Sequence, residues 1–321
     1  MIRILRFAVF VVMISLSTRA FAQTGPLLLI RPMPDDTNFE TFNAGSVFAE
    51  SETDNGDADF SLGIYESFGR VTESPDQFLP RLGYNFVGFD IHTDDAVLPE
   101  QLFDMAVAAG FKLPDVSDFT GGLTLGAGYA GDRPFGDANA WYYKATVVFG
   151  KKINETDDLA ILIDYDGNRT FMPDVPIPGL IFRRKVSDTL LLAAGFPVSS
   201  IEWKPIDYLT LELVYTVVDR LDVRVDYEFI DGWSVFGLFE RRRDAFHIDG
   251  LDAGNHDRLI FEQRKLEAGL RWEPSEDIAG TLSVGYAFGQ EFGVGFDSRD
   301  IDAISEIDDA PFVRLGFEAR F

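Results

Sequence analysis

Val313-Arg314-Leu315-Gly316-Phe317-Glu318-Ala319-Arg320-Phe321 ends the chain. Val313, Leu315, Phe317, Ala319 and Phe321 are apolar at every second position. Arg314, Gly316, Glu318 and Arg320 alternate with them. Side chains on a strand point alternately to opposite faces, so this segment reads as a strand with one apolar and one polar face.

The same period recurs upstream. In 281–289, Leu282, Val284, Tyr286 and Phe288 share a face, opposite Thr281, Ser283, Gly285, Ala287 and Gly289. In 221–230, Leu221, Val223, Val225, Tyr227 and Phe229 oppose Asp222, Arg224, Asp226 and Glu228. In 139–151, Trp141, Tyr143, Ala145, Val147 and Phe149 oppose Tyr142, Lys144, Thr146 and Gly150. About twelve such strands are expected: 58–71, 79–94, 119–131, 139–153, 158–167, 189–204, 208–218, 221–231, 233–246, 258–272, 278–292 and 310–321. Most exceed the about 5–6 residues of globular strands and suit tilted membrane strands of about 9–11. Charges facing lipid are costly, so the charged face of each strand turns inward. The fold class is therefore all-β, an antiparallel transmembrane barrel. One short helix is expected near residues 99–109, with Pro99 in its first turn, Leu102, Met105, Ala106 and Ala109 on one face, and Gly110 as its stop.

The final strand resembles the C-terminal strand of bacterial outer-membrane β-barrel proteins, whose terminal aromatic is read by the barrel assembly machinery. The resemblance implies that Phe317 and Phe321 carry this signal. Ala319 departs from it, since such proteins often have another aromatic there. The plan of 58–321 also resembles an uncharacterised family of exported barrels, which implies the fold and names no substrate.

The start of the chain agrees with export. Arg3 and Arg6 precede an apolar run from Phe7 to Leu16, and Ala20-Phe21-Ala22 is a small-x-small cleavage site. Residues 1–22 read as a signal peptide. Residues 23–57, with Pro26, Pro32 and Pro34, read as a poorly ordered N-terminal periplasmic segment, and 58–321 as the outer-membrane barrel. With an even strand count both termini lie on the periplasmic side. The outer loops are then 72–78, 132–138, 168–188, 219–220, 247–257 and 293–309. The inner connections are 95–118, 154–157, 205–207, 232 and 273–277.

The net charge is −25, and removing Arg3, Arg6 and Arg19 with the signal leaves −28. A chain this acidic, without a basic stripe, is no nucleic-acid binder. The absence of cysteine excludes disulfides and thiolate metal sites. His92, His247 and His256 lack a serine placed to pair with them, so no catalytic site and no enzyme are expected. The loop from Asp249 to Asp257 is rich in oxygen ligands and glycine but lacks EF-hand spacing, and the acids of 297–309 read as a solvated run. No cofactor and no metal are expected.

The expected site is the lumen wall: Lys144, Glu212, Arg224, Asp226, Glu228, Lys265, Glu267, Arg271, Arg314, Glu318 and Arg320. Such mixed-sign ladders line a wet channel or pair across the lumen and close it. The first reading is a narrow passive channel or small-solute-binding barrel. The alternative is a closed structural or surface-interaction barrel that works through its outer loops. Arg241-Arg242-Arg243 puts positive charge on both faces and belongs at the outer rim, within reach of anionic headgroups or solutes. The partners expected are outer-membrane lipid, the assembly machinery and small solutes. Two outcomes follow for the exported protein. Mass spectrometry of the mature chain should find its N-terminus at Gln23, and deletion of Phe321 should reduce the fraction assembled in outer membrane.

Overall fold

The structure is a computed structural model that describes residues 37–54, 58–72, 82–217, 220–248 and 258–321. The signal peptide and the oxygen-rich loop 249–257 with His256 lie outside those residues. Eighteen strands follow in order: β1 (Phe39–Phe48), β2 (Ser51–Thr53), β3 (Ala58–Val71), β4 (Leu82–Thr93), β5 (Gln101–Val116), β6 (Phe119–Gly131), β7 (Trp141–Lys152), β8 (Asp157–Asp166), β9 (Ile177–Ser187), β10 (Leu190–Phe196), β11 (Val198–Ile206), β12 (Leu209–Thr216), β13 (Arg220–Ile230), β14 (Trp233–Phe246), β15 (Arg258–Ser275), β16 (Ile278–Gly295), β17 (Asp302–Ile307) and β18 (Ala310–Arg320). Sixteen of them form the wall. β2 and β17 pair as a small extension at one end.

Every strand of the wall is antiparallel to its neighbours, and the ring shuts where β1 pairs with both β18 and β3. The register runs from Glu40 opposite Arg320 to Phe48 opposite Phe312. Closure leaves no open edge, so the backbone donors and acceptors of the wall are paired within the sheet. Outward positions are apolar: Val284, Val313, Leu315 and Phe317 are exposed, while Ser283, Ala287 and Glu318 on the alternate positions are buried. Trp233 and Trp272 mark one border of this belt, with ring centroids 6.0 Å apart. The connections at that border are short, as at Asp231-Gly232, where Gly232 takes φ of 72°.

Several expectations need correction. The strand count of about twelve becomes sixteen. The additions are β1, β5 and β9, and the expected strand 189–204 is two strands, β10 and β11, turning at Pro197. No helix occurs near 99–109; β5 runs through it. Leu102, Ala106 and Ala108 point inward and are buried, whereas Val107 points out. The alanines fit either periodicity, and pairing with β4 and β6 on both sides decides for the strand. Within the expected N-terminal segment 23–57, residues 39–48 belong to the barrel, because β1 supplies the closing strand. With β1 and β5 in the wall, β3 ends and β4 begins at the end bearing the short turns and Phe321, where Val71 stands opposite Phe39 and Leu82, and 95–118 is no longer one inner connection.

The faces set the cost of substitution. Val284 lies outward between Val313 and Ala268, midway along the belt. Val284→Arg should destabilise the folded barrel by about 2–4 kcal/mol, and Phe39→Arg at the belt's border by less than about 1 kcal/mol, as read from urea titrations in lipid bilayers.

Candidate functional site

The interior has two unlike parts. On β3 and β4 the inward residues Phe60, Leu62, Ile64, Val87, Phe89 and Ile91 are all buried. They are not covered by neighbours on the wall alone. Phe89 meets Phe246 of β14 and Phe261 of β15 edge-on, each at 5.3 Å, from the opposite side of the ring. Backbones also touch there: His247 N donates to Ala130 O at 3.0 Å, and Gly131 bridges to His247. At the loop end, therefore, the wall from β14 round to β6 is folded onto itself around an apolar core.

Toward the turn end this core gives way to ion pairs. Glu66 of β3 accepts from Arg242 Nη1 across the lumen at 2.8 Å and from Arg314 Nη2 at 2.5 Å. Glu240 takes Arg220 Nη2 and Lys265 Nζ, both at 2.9 Å. Arg220 Nε also donates to Asp222 at 2.7 Å. Arg271 grips Glu318 with two hydrogen bonds of 2.7 and 2.9 Å. Arg224 does the same to Asp226, at 2.8 Å each, with its guanidinium over the Phe236 ring. Buried guanidiniums and carboxylates persist because each is matched, and removal of one leaves its partner charged in a low-dielectric interior. A small cavity of about 70 Å³ lies among these groups, bounded by Glu66, Arg224, Glu267, Arg271 and Glu318.

The third sector is different. On β9 to β12 most inward positions, among them Ile181, Arg183, Lys185, Leu191, Ala193, Ser200, Lys204, Glu212 and Val214, are half-buried, while Ile177, Gly179 and Glu202 are buried. The registers align Lys185, Leu191, Glu202, Glu212 and Arg224 as one row across this arc. The wall is also lowest here: β10, β11 and β12 have 7, 9 and 8 residues, against 18 in β15 and in β16.

Loop 167–176, between β8 and β9, reaches over the interior at the loop end. Arg169 braces it from within, donating to Asp164, to Phe171 O and to Val175 O at 2.8, 2.9 and 2.8 Å. Across the lumen Asn168 Nδ2 donates to Ala245 O at 3.0 Å, and Arg258 Nη2 donates to Arg169 O at 3.1 Å. Met172 N donates to Asp297 Oδ2 at 3.2 Å. Burial would raise the Asp297 carboxyl, but hydrogen bonds from the Arg299 side chain and backbone and from Met172 N hold it below the usual carboxylate range.

The residues expected at the site fall into several places. Lys265, Glu267, Arg271, Arg314 and Glu318 meet in the ion-pair cluster. Arg320 lies at its turn-end edge, 3.7 Å from Glu40. Lys144 is apart from them, buried against Asp166 at 2.8 Å. Glu212 lies on the half-buried arc, and Arg224 and Asp226 adjoin it. Glu228 is exposed near the turn end. Phe317 faces outward. Phe321 stacks on Phe39 at 6.3 Å, and its N–H donates to Phe39 O at 2.8 Å. Of the arginine run, Arg242 is not at the rim but wholly buried inside, and only Arg241 and Arg243 point outward. Sequence reasoning missed Glu40, Glu66, Arg70, Arg220, Glu240 and Arg242. Glu66 and Arg70 are four residues apart and in phase on a strand already recognised, so its inward charges were readable there; Glu40 was hidden with β1.

A ring without edges, an apolar outer belt and a charged interior define the architecture. The chain is a β-barrel of the outer-membrane type. No protein-family model matches the sequence, and no curated protein matches it. Solved structures do resemble the fold. The Pseudomonas putida toluene transporter TodX is 8% identical, with 92% of each chain covered and a TM-score of 0.35. The Ralstonia pickettii toluene transporter TbuX is 9% identical over 95% of this chain and 97% of its own, with a TM-score of 0.38. KdgM porin is 13% identical over 68% of this chain and 92% of its own, with a TM-score of 0.26.

Two outcomes follow. Glu66→Ala, which takes the close partner from Arg314 and leaves Arg242 with Asp244 alone, should lower unfolding free energy by about 3 kcal/mol, while Glu212→Ala on the half-buried arc should cost less than about 1 kcal/mol. Because the Asp297 pKa is depressed, its contribution to holding loop 167–176 is present at neutral pH and survives into the ordinary carboxylate range. It is lost only as pH falls through the depressed value; hydrogen exchange of the loop against pH reads this directly, and Asp297→Asn should remove the dependence.

Proposed function

We propose that the chain is an outer-membrane passive channel or binding barrel for small polar solutes, with the path running along the inner face of β9 to β12. The single observation that carries this reading is the contrast in interior exposure: mostly half-buried side chains on that arc, Glu202 and Ile177 excepted, against buried ones on β3 and β4. The packed sector then acts as a fixed wall. It narrows the cross-section that sixteen strands would otherwise enclose. Arg183, Lys185 and Lys204 with Glu202 and Glu212 make the path polar and of mixed sign, so passage is filtered by size and by charge. Loop 167–176 sits at its loop-end mouth. The terminal Phe321 strand is the segment the assembly machinery would read, and the apolar belt is the surface for outer-membrane lipid.

The cross-lumen core around Phe89 favours a second reading, a closed barrel that works through its outer loops. Planar-bilayer recordings separate the two. The channel reading predicts single-channel steps whose cation-to-anion preference shifts toward cations in Arg183→Glu/Lys185→Glu, with the melting temperature little changed. Absence of conductance in correctly folded wild-type protein would leave the closed barrel.

A further inference from the structure

Outside the wall, Arg241, Arg243 and Arg264 converge on one carboxylate. Arg241 Nε and Arg264 Nη2 donate to Glu262 Oε1 at 3.0 and 3.4 Å, and Arg243 Nε donates to Oε2 at 2.5 Å. Glu262 is buried beneath them, whereas the Arg241 and Arg264 side chains stay 35% and 46% exposed. Arg241 stands directly opposite Arg264 in the β14–β15 ladder. Like charges so placed repel each other, and a single carboxylate cannot use the donors of three guanidiniums, each of which has five N–H groups. Glu291 on β16 and Glu306 on β17 continue the row away from Arg241, so the positive charge concentrates on the β14 side, next to Leu221.

The height of this cluster gives its environment. Along β14 the chain runs about 27 Å from Trp233 at the turn-end border to Arg241 at about 3.4 Å per residue; a strand tilt of about 40° makes this a rise of about 21 Å, and the arginine stems carry their guanidiniums further toward the headgroups. An outer-membrane barrel carries an apolar band about 25 Å tall. Phe239 and Phe288, 6.4 Å apart, form the upper aromatic border just below the arginines. The guanidiniums are thus at headgroup level on a wall that is otherwise acidic at this end, where Asp59, Asp90, Asp94 and Glu100 face out on β3 to β5.

We propose that Arg241, Arg243 and Arg264 form a docking site for the phosphate of an anionic membrane lipid, in the leaflet at the loop end. The planar guanidinium fork matches two phosphate oxygens. A phosphate between Arg241 and Arg264 would also relieve their repulsion. The site rests on the placement of this wall in a bilayer and is independent of whether the lumen conducts.

The test uses the full barrel in phosphatidylcholine nanodiscs and micelles, titrated with phosphatidic acid, with phosphatidylcholine as control and inorganic phosphate as competitor. Native mass spectrometry counts retained lipid. Phosphatidic acid should be retained selectively, and Arg241→Gln/Arg264→Gln should weaken it by about twenty-five-fold, about fivefold per guanidinium. Arg241→Lys/Arg264→Lys should keep part of the affinity, and Lys151→Gln at the turn end should keep all of it. Should the glutamine variant fail to fold, the lysine variant and the salt dependence of the wild type decide: retention must fall as ionic strength rises. Equal retention of phosphatidic acid and phosphatidylcholine, unchanged affinity in the glutamine variant, or salt-independent binding overturns the site. Displacement of the lipid by inorganic phosphate at equal concentration overturns the lipid as its source.

Discussion

The structure depends on the pairing of β1 with β18. In hydrocarbon an unpaired backbone N–H or C=O has no water to turn to and costs several kcal/mol. A sheet of this length is tenable there only if its two edges meet. Phe39 to Phe48 lie along Phe312 to Arg320 for their whole length, and Phe321 is clamped by reciprocal hydrogen bonds with Phe39. The C-terminal aromatic is thus both the last residue and a part of the seam.

Closure alone does not decide what the inside is. Sixteen strands enclose more space than side chains fill, and here that space is divided. Aromatic rings of β3 and β4 cross to β14 and β15, and below them Glu66 ties Arg242 and Arg314. The Phe89 contacts and the Glu66–Arg242 pair link wall strands remote along the ring and hold the two sides together, while Glu66–Arg314 spans the intervening β1. The less filled part lies beside β9 to β12, where inward side chains are of mixed size and polarity and mostly half-buried and where β10 to β12 are short. On the proposed reading, stability and passage fall to different arcs of one wall.

Much of this was legible before any coordinates. Strict alternation marked β7, β13, β14, β16 and β18 and fixed their faces, because a slip of one residue would bury the charges in lipid. It failed where the pattern was ambiguous. β1 carries Thr41, Asn43 and Gly45 on its outward face, so no apolar row announces it. β5 is rich in alanine, which satisfies a helix as readily as a strand. β9 reads Leu180-Ile181-Phe182-Arg183-Arg184-Lys185, where runs of like residues mask the period, and Arg184 faces out only because Asp157 receives it at 2.8 Å. The inward charges of the last strands were readable one strand at a time. Their partners were not, since Glu66 is 176 residues from Arg242 and no local pattern encodes a contact across a lumen.

The absence of cysteine permits a direct measurement of the interior. Single cysteines placed at Ala193, Ser200 and Val214 on the arc, and at Leu62, Ile64 and Val87 on the packed side, can be exposed to a charged, membrane-impermeant thiol reagent in reconstituted barrels while current is recorded. The account predicts rapid modification at 193, 200 and 214 with a matching fall in conductance, and no reaction at 62, 64 and 87. Equal reactivity on both sides, or modification of the arc without any change in current, would contradict it.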